Sequence, residues 1–199
     1  MPDFSPRILR AFVETVIAEL GADTLTAVLE KSGLSVLLAD VEAVARFDAS
    51  AAALAYAGLQ QAFRTYYGRG ARGILLRVGS RMWKKLLDGA PFALKPQIAL
   101  VGALPDAASV KPALGLLAKL LSPNAGDFTV HSIDPDLLLV DHTSPAARDQ
   151  QDDEPLCWVT MGLVRECLYW AAHREFDVTE TSCCALGAGQ CEFKIKIGE

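Results

Sequence analysis

The chain has 199 residues, of which 51% are apolar and 22% charged, and its formal net charge is −5 at pH 7. This length is most simply one domain with its own core, and the longest apolar runs fall well short of the roughly 18 residues that a transmembrane helix needs. A net negative chain repels polyanions, which argues against specific nucleic-acid binding. The N-terminal stretch carries acids and no small-residue cleavage site, so we expect a cytoplasmic protein without a secretory signal.

Apolar residues at helical spacing predict a series of helices in the first two-thirds of the chain. They cover residues 7–19, 23–31, about 49–67, 72–87 and 111–121. Asp48 or Ser50 would cap the third helix, and Pro112 would fall in the first turn of the last one, where proline is tolerated.

A glycine pattern between the third and fourth predicted helices needs separate treatment. Gly68, Gly70 and Gly73 spell GxGxxG, which in dinucleotide-binding proteins follows a strand and opens a helix. A helix precedes the pattern in this chain, so we interpret these glycines as a helix–helix junction.

The remaining third of the chain has mixed character. Strands are predicted at 128–133 and 136–142, an exposed acidic loop at 144–155, a helix at 157–173, and two strands around a hairpin at Leu186–Gly189. The prediction is therefore an α+β fold in which N-terminal helices pack on an antiparallel sheet formed mostly by the C-terminal half. We expect a single domain over 1–199, with 1–134 mainly helical.

The segment between Asp48 and Asp88 contains no acidic residue and seven basic ones. These are Arg64, Arg69, Arg72, Arg77, Arg81, Lys84 and Lys85. A positive field of this kind can attract phosphate, nucleic acid or an anionic membrane. The favoured interpretation is a solvated helix face whose charge is balanced by acids elsewhere in the fold.

Three of the five cysteines lie close together near the C-terminus. Glu180, Cys183 and Cys191 are spaced as E-x2-C-x7-C, and Cys157 precedes Glu180 by 23 residues. Zinc is bound tetrahedrally by four such ligands, but free cysteines are also common as small buried residues. Regular strand alternation would turn Cys184 rather than Cys183 towards Glu180's face, so the use of Cys183 requires a bulge or an early turn.

The run E-x2-C-x-A-x-G-x3-C-x-F, filled by Glu180, Cys183, Ala185, Gly187, Cys191 and Phe193, resembles the 4-vinyl reductase domain family. The resemblance covers about residues 135–197. It implies the ligand-binding fold of TRAPP vesicle-tethering subunits and of the sensor domains of phenol- and xylene-responsive activators. It also implies a structural zinc held by Cys157, Glu180, Cys183 and Cys191.

The same resemblance implies a function in binding small molecules. We expect a sensor or carrier module for a hydrophobic ligand, such as an acyl chain, an aromatic hydrocarbon or a tetrapyrrole, in an apolar cavity. Trp83, His131, Trp158, Tyr169 and Arg77 are candidates for its wall or for orienting the ligand. The phenol sensors' tryptophan is replaced by the turn at 134–136, so phenol itself is not the expected ligand.

Two alternatives stay open. The family takes its name from reduction of the 4-vinyl group of chlorophyllide-type pigments, which suggests a reductase or an accessory protein of (bacterio)chlorophyll biosynthesis, although the sequence carries no nicotinamide or flavin fingerprint. The likeness to tethering subunits suggests a scaffold that uses the Arg64–Lys85 stretch. The apolar composition and the fold family favour a homodimer.

Overall fold

The computed structural model describes residues 4–147 and 149–198. Eight α-helices lie in these ranges: α1 (Pro6–Leu20), α2 (Ala22–Lys31), α3 (Val41–Val44), α4 (Ala49–Tyr67), α5 (Ala71–Asp88), α6 (Lys95–Gly102), α7 (Asp106–Leu121) and α8 (Trp158–Ala172). The strands are β1 (Phe128–Ile133), β2 (Asp136–Asp141), β3 (Val178–Ser182) and β4 (Cys191–Ile195). The predicted α+β class is confirmed.

Residues at the ends of the N-terminal helices cap them as the sequence predicted. The Ser5 side chain caps α1 by accepting a hydrogen bond from the Arg7 amide, and Gly21, at φ 87°, ends the helix. Asp48 is the cap of α4, because its Oδ1 accepts from the amide of Ala51 at 2.7 Å. These local contacts satisfy backbone donors that would otherwise lack partners at the helix starts.

The glycine pattern forms the predicted junction between α4 and α5. Residues Gly68–Gly70 make one turn of 3-10 helix, and Gly68 has a φ of 53°, a conformation that favours glycine. No strand enters this turn, so the dinucleotide-binding geometry is absent from it.

The helix predicted at 111–121 begins earlier than expected. Helix α7 starts at Asp106, so Pro112 lies inside it rather than in its first turn. The sequence signal was misleading because proline is most common in the first turn of a helix, whereas here more than one turn of helix precedes it. Helix α6 was not predicted, because its apolar and polar residues do not alternate with the helical period.

Two glycines let α5 and α8 cross at backbone contact. A Cβ atom added to Gly79 would lie 2.1 Å from the carbonyl oxygen of Val159, and one added to Gly162 would lie 2.1 Å from that of Leu76. The Ser80 hydroxyl also donates to the Gly162 carbonyl oxygen at 3.3 Å. This crossing fixes the position of α8, which leads into the C-terminal hairpin.

The four strands form one antiparallel sheet in the order β1-β2-β4-β3. In its register Leu139 lies opposite Phe193 and Leu137 opposite Ile195, and all four side chains are buried. Helix α7 packs on β1 and α8 on β3, so the helices cover one face of the sheet. Burial of each of these side chains contributes roughly 1.5–3 kcal/mol to the stability of the core.

The acidic loop is only partly exposed, so the prediction for 144–155 was wrong at its start. Ala146 and Ala147 are buried, whereas residues 151–154 are exposed. The buried carboxylate of Asp141 accepts from the amides of Thr143 and Ser144 at 2.9 and 2.8 Å, and this turn directs the chain inward.

The basic stretch is largely paired with acids from other elements. Arg77 and Arg81 both contact Glu19 of α1, at 3.2 and 3.6 Å, and Lys85 contacts Glu14 at 3.4 Å. The interpretation as a charge-balanced helix face is therefore supported for these residues. Among the described residues, no helix has the length and apolar character needed to cross a membrane.

Candidate functional site

The structure brings the four predicted metal ligands into one buried cluster. Cys157 immediately precedes α8, Glu180 lies on β3, Cys183 follows β3, and Cys191 opens β4. Their ligand atoms all lie within 4.8 Å of one another, and all four residues are buried. Two segments far apart in the chain, the start of α8 and the β3–β4 hairpin, therefore meet at this cluster.

A β-bulge selects Cys183 over Cys184. Glu180 pairs with Phe193, but Ser182 pairs with Glu192, so β3 contains one extra residue between these pairs. The extra residue reverses the alternation, and Cys183 becomes buried on the same side as Glu180. Under regular strand alternation Cys183 could be a metal ligand only if β3 contained a bulge, and the structure contains that bulge.

The sulfur positions match the spacing that a tetrahedral ion requires. The Cys157 and Cys191 sulfurs are 3.5 Å apart, and the Cys191 and Cys183 sulfurs are 3.9 Å apart. Tetrahedral zinc with Zn–S bonds of about 2.3 Å places two sulfurs about 3.8 Å apart. The cluster is therefore already compact enough to surround one ion.

One carboxylate oxygen of Glu180 accepts a hydrogen bond, and the other has no partner among the described residues. Its Oε2 accepts from the Cys157 amide at 3.0 Å, while Oε1 is buried and has no hydrogen-bond partner among the described residues. Burial, with the neighbouring Cys183, raises the pKa of Glu180 to about 8. A buried acceptor without a donor is costly, and a cation among the sulfurs would satisfy it.

The thiols influence one another strongly. Hydrogen bonds with Cys183 and Cys191, together with burial, raise the pKa of Cys157 well above its usual range. Hydrogen bonds from Cys157 and Cys191 hold the pKa of Cys183 far below the usual value. Three sulfurs this close together form a ligand set that a divalent cation would complete.

The other two cysteines play different parts. Cys184 is half-buried, and its backbone amide, not its sulfur, contacts the cluster by donating to the Cys191 sulfur at 3.3 Å. Cys167 is buried in α8, where its thiol donates to the carbonyl oxygen of Ala113 at 3.3 Å. That contact ties α8 to α7 and leaves Cys167 a structural residue.

An apolar cleft lies along β1, at the opposite edge of the sheet from β3. It has a volume of about 950 Å³ and is lined by the segment from Pro91 to Gln97, the C-terminal half of α7, residues 122–125 and β1. We call it the α7 cleft. Through Ser122 and Phe128 it borders an interior cavity of about 20 Å³ beneath α1 and α4, which has room for about one water molecule.

Of the five predicted ligand-wall residues, only His131 lies on the α7 cleft. It is exposed on β1, where its Nε2 is 2.8 Å from the Thr129 hydroxyl. Tyr169 is 51% exposed and lines a separate surface cleft of about 480 Å³ between α5 and α8.

The other three candidates lie elsewhere. Trp83 is buried with its ring 5.5 Å from that of Trp170, Trp158 is half-buried at the start of α8, and the Arg77 side chain is 54% exposed and bound to Glu19. The structure therefore does not gather the five residues around one cavity.

Apart from His131, sequence reasoning missed the residues that form the α7 cleft. Its wall depends on α6, which carries no periodic signal, and on Lys119 and Phe128, which come together only when α7 packs on β1. Local sequence patterns do not contain this contact.

The metal cluster falls inside a segment that known proteins share. Residues 141–197 match the family model of the 4-vinyl reductase domain. This match confirms the predicted resemblance for that segment, which starts slightly later than the predicted 135. No protein of curated function matches the chain.

Solved structures with the same fold extend over the rest of the chain. An H-NOX protein from S. oneidensis in the Fe(II)NO ligation state is 14% identical, with a TM-score of 0.57 and coverage of 100% of both chains. Unliganded Fe(II) H-NOX protein from K. algicida is 13% identical, with a TM-score of 0.59 and coverage of 98% and 97%. The phenol-responsive sensory domain of the transcription activator PoxR, with phenol, is 16% identical over 72% of this chain and 73% of its own, with a TM-score of 0.51.

These similarities establish the fold. The segment matched by the family model contains all four cluster residues and none of those that line the α7 cleft. The likeness to vesicle-tethering subunits stays a prediction.

Proposed function

We propose that this protein is a binding module for a small, mainly apolar molecule and that a structural zinc stabilises it. The ligand would occupy the α7 cleft, between the helices and the sheet, as a sensor's signal or a carrier's cargo. The observation that carries the proposal is the cleft itself, because its volume of about 950 Å³ lies within the range of sites for small organic ligands.

The lining of the cleft supports an apolar ligand. Its lining includes the apolar side chains of Pro91, Leu94, Ala118, Phe128 and Val130. Affinity would come mainly from the apolar area that the ligand removes from water, at about 25 cal/mol per Å². The same fold occurs in a domain whose structure contains phenol and in iron-containing H-NOX proteins, which is consistent with a small-molecule site on this scaffold.

The zinc proposal rests on the donor set and on the spare carboxylate oxygen of Glu180. Three sulfurs and one carboxylate are ligands that zinc prefers, and Oε1 of Glu180 has no other partner among the described residues. Four protein ligands leave no open coordination position, so such an ion would cross-link Cys157 to the hairpin rather than act on a substrate.

The histidines narrow the ligand class. The chain has three, and all are exposed. A haem bound through a buried imidazole is therefore not supported, and we favour an acyl chain, an aromatic hydrocarbon or a tetrapyrrole held without such a bond.

Native mass spectrometry of the freshly purified protein tests both parts of the proposal. We expect a mass excess over the denatured chain that corresponds to one zinc ion, and a further organic adduct whose mass begins to identify the ligand. A chain that carries no metal even after zinc is supplied would refute the zinc site. Failure of every apolar probe to bind would refute the ligand module.

A role in pigment reduction is the second candidate, and the match of residues 141–197 to the 4-vinyl reductase domain favours it. In this role the protein would present a vinyl-bearing pigment or reduce it with an external hydride donor. Incubation with such a pigment and reduced nicotinamide cofactor distinguishes the two candidates. Product formed by the protein alone would make it an enzyme, whereas pigment binding without turnover would make it a carrier.

The homodimer is also part of the proposal. Phe92 is 86% exposed and Leu100 is 64% exposed, both on or next to α6, and exposed apolar side chains of this size are common at subunit interfaces. Sedimentation equilibrium gives the oligomeric state, and a monomer at all accessible concentrations would exclude this part.

A further inference from the structure

Two basic side chains lie at one end of the α7 cleft, and their charge affects which ligands the cleft can bind. A second pocket of about 330 Å³ adjoins the cleft and shares Pro91, Lys119 and Pro123 with it. Arg7 of α1 lines this second pocket together with Lys119. Within the described residues, neither lining includes an aspartate or a glutamate.

Arg7 has an unused donor at this place. Its Nη2 donates to the Leu120 carbonyl oxygen at the end of α7, while its Nη1 is buried and has no partner among the described residues. Burial lowers the pKa of Arg7, and no carboxylate among the described residues offsets this effect. Arg64 is also partly buried, but it lies 3.8 Å from Asp152, so the two arginines differ in their charge balance.

Lys119 is the second cation. Its Nζ donates to the Gln97 side chain at 2.9 Å, a neutral partner, and it forms no ion pair with a described residue. The nearby Asp127 is engaged by the side chains of Ser122 and Asn124. Arg7 also caps α7 at the Leu120 carbonyl oxygen, and its charge offsets the negative end of the helix dipole.

We propose that the α7 cleft binds a single-chain amphiphile with an anionic head group, a carboxylate or a phosphate monoester, whose head lies at Arg7 and Lys119 and whose apolar chain follows α7 and β1. This inference rests on the proposed function and narrows its ligand class. An anion at this position would give the buried Arg7 Nη1 the acceptor it lacks, and charge-assisted contacts of this kind are the stronger hydrogen bonds.

Calorimetric titration below the micellar concentration tests the assignment with three probes of equal chain length: decanoate, decyl phosphate and decan-1-ol. We expect at least one anion to bind about tenfold or more tightly than the alcohol, because a hydrogen bond to a charged group is stronger than one to a neutral group. The ratio between the two anions distinguishes a carboxylate from a phosphate ligand.

Lys119→Gln should remove most of this preference for the anion, and Lys119→Arg should restore it. Lys111→Gln is the matched control, because Lys111 lies on the same helix and contacts Ser132 of β1 but lines neither pocket. A thermal melt of each variant checks that the fold is retained.

The outcomes distinguish the anionic head group from the apolar site itself. Equal binding of decanol and both anions, unaffected by Lys119→Gln, would overturn the anionic assignment and leave the apolar site in place. Binding of none of the three probes would count against the cleft as a ligand site altogether. Loss of the anion preference in Lys111→Gln as well would place the charge effect outside the cleft and overturn the assignment to Lys119.

Discussion

The metal cluster and the pocket beside the α7 cleft each contain a buried polar atom without a partner among the described residues, and one atom is an acceptor whereas the other is a donor. In the cluster it is the carboxylate oxygen Oε1 of Glu180, a residue that lies with three cysteines in a group whose ligand atoms are within 4.8 Å of one another. In the pocket beside the cleft it is the guanidinium nitrogen Nη1 of Arg7, a residue that lines this pocket. An enclosed acceptor among sulfurs fits an ion, whereas a donor beside an open apolar groove fits the head of a larger molecule.

The two regions are also built differently. Three of the cluster residues come from one hairpin, where a bulge aligns them. The cleft combines α6, α7 and β1, the adjoining pocket adds α1, and only tertiary packing brings these elements together. Mutations should therefore affect stability strongly in the cluster and ligand binding selectively in the cleft.

Loss of a cluster sulfur should have the largest effect. Cys191→Ser and Cys183→Ser should each abolish stoichiometric zinc binding and reduce stability by roughly 4 kcal/mol or more. For a protein of this length, this corresponds to a fall of about 8–16 °C in the melting temperature. Metal analysis and calorimetry on the same samples provide both values.

Cys184→Ser is the control for this prediction, because only the backbone of Cys184 contacts the cluster. It should retain metal and melting temperature. Equal metal content in all three serine variants would disprove the ligand assignment.

The sequence predicted the cluster better than the cleft for a physical reason. Ligand spacing and the family resemblance nominated Cys157, Glu180, Cys183 and Cys191 before the fold was known, and the α+β architecture followed from local periodicity. The sequence alone did not predict the bulge in β3. It showed only that Cys183 needs a bulge to be a ligand, since regular strand alternation favours Cys184. The cleft could not be predicted, because α6 lacks amphipathic periodicity and Arg7 contacts α7 from a distant part of the chain.

The next largest effect on stability is expected at the crossing of α5 and α8, which positions the start of α8 at the cluster. Gly79→Ala would place a methyl group 2.1 Å from the Val159 carbonyl oxygen, so α5 and α8 must separate, at a cost of about 3 kcal/mol. Denaturant unfolding measures the change. Gly73→Ala on the same helix meets nothing within 4 Å and should instead stabilise the protein by about 0.5–1 kcal/mol. A neutral Gly79→Ala would mean that the helices do not touch there.

Glu180→Gln should have an intermediate effect. The amide retains an acceptor for the Cys157 amide but loses the negative charge, so zinc affinity should fall by about 10- to 100-fold while the protein still folds. Competition with a chelator measures this change. Glu192→Gln on β4, whose carboxylate contacts only the Gln190 side chain among the described residues, should leave zinc affinity unchanged. Identical affinities in both variants would remove Glu180 from the ligand set.

The smallest effect on stability is expected in the cleft. Lys119→Gln should change the free energy of unfolding by less than about 0.5 kcal/mol, because its one hydrogen bond is exposed. It should also leave zinc content unaltered, since the two regions share no residues. A fall in stability as large as that of Glu180→Gln would show that the cleft and the cluster are not independent.

The extra residue in β3 has a consequence for how this segment can vary in length. Removing Thr181 would remove the bulge, and regular alternation from Glu180 through Ser182 would still turn Cys183 to the Glu180 side of the strand. Loss of the bulge without a deletion would instead turn Cys183 to the opposite face and bring Cys184 to the Glu180 side. Homologues that keep the cluster should accordingly have either two residues and a bulge, or one residue and a regular strand, between the glutamate and the first hairpin cysteine.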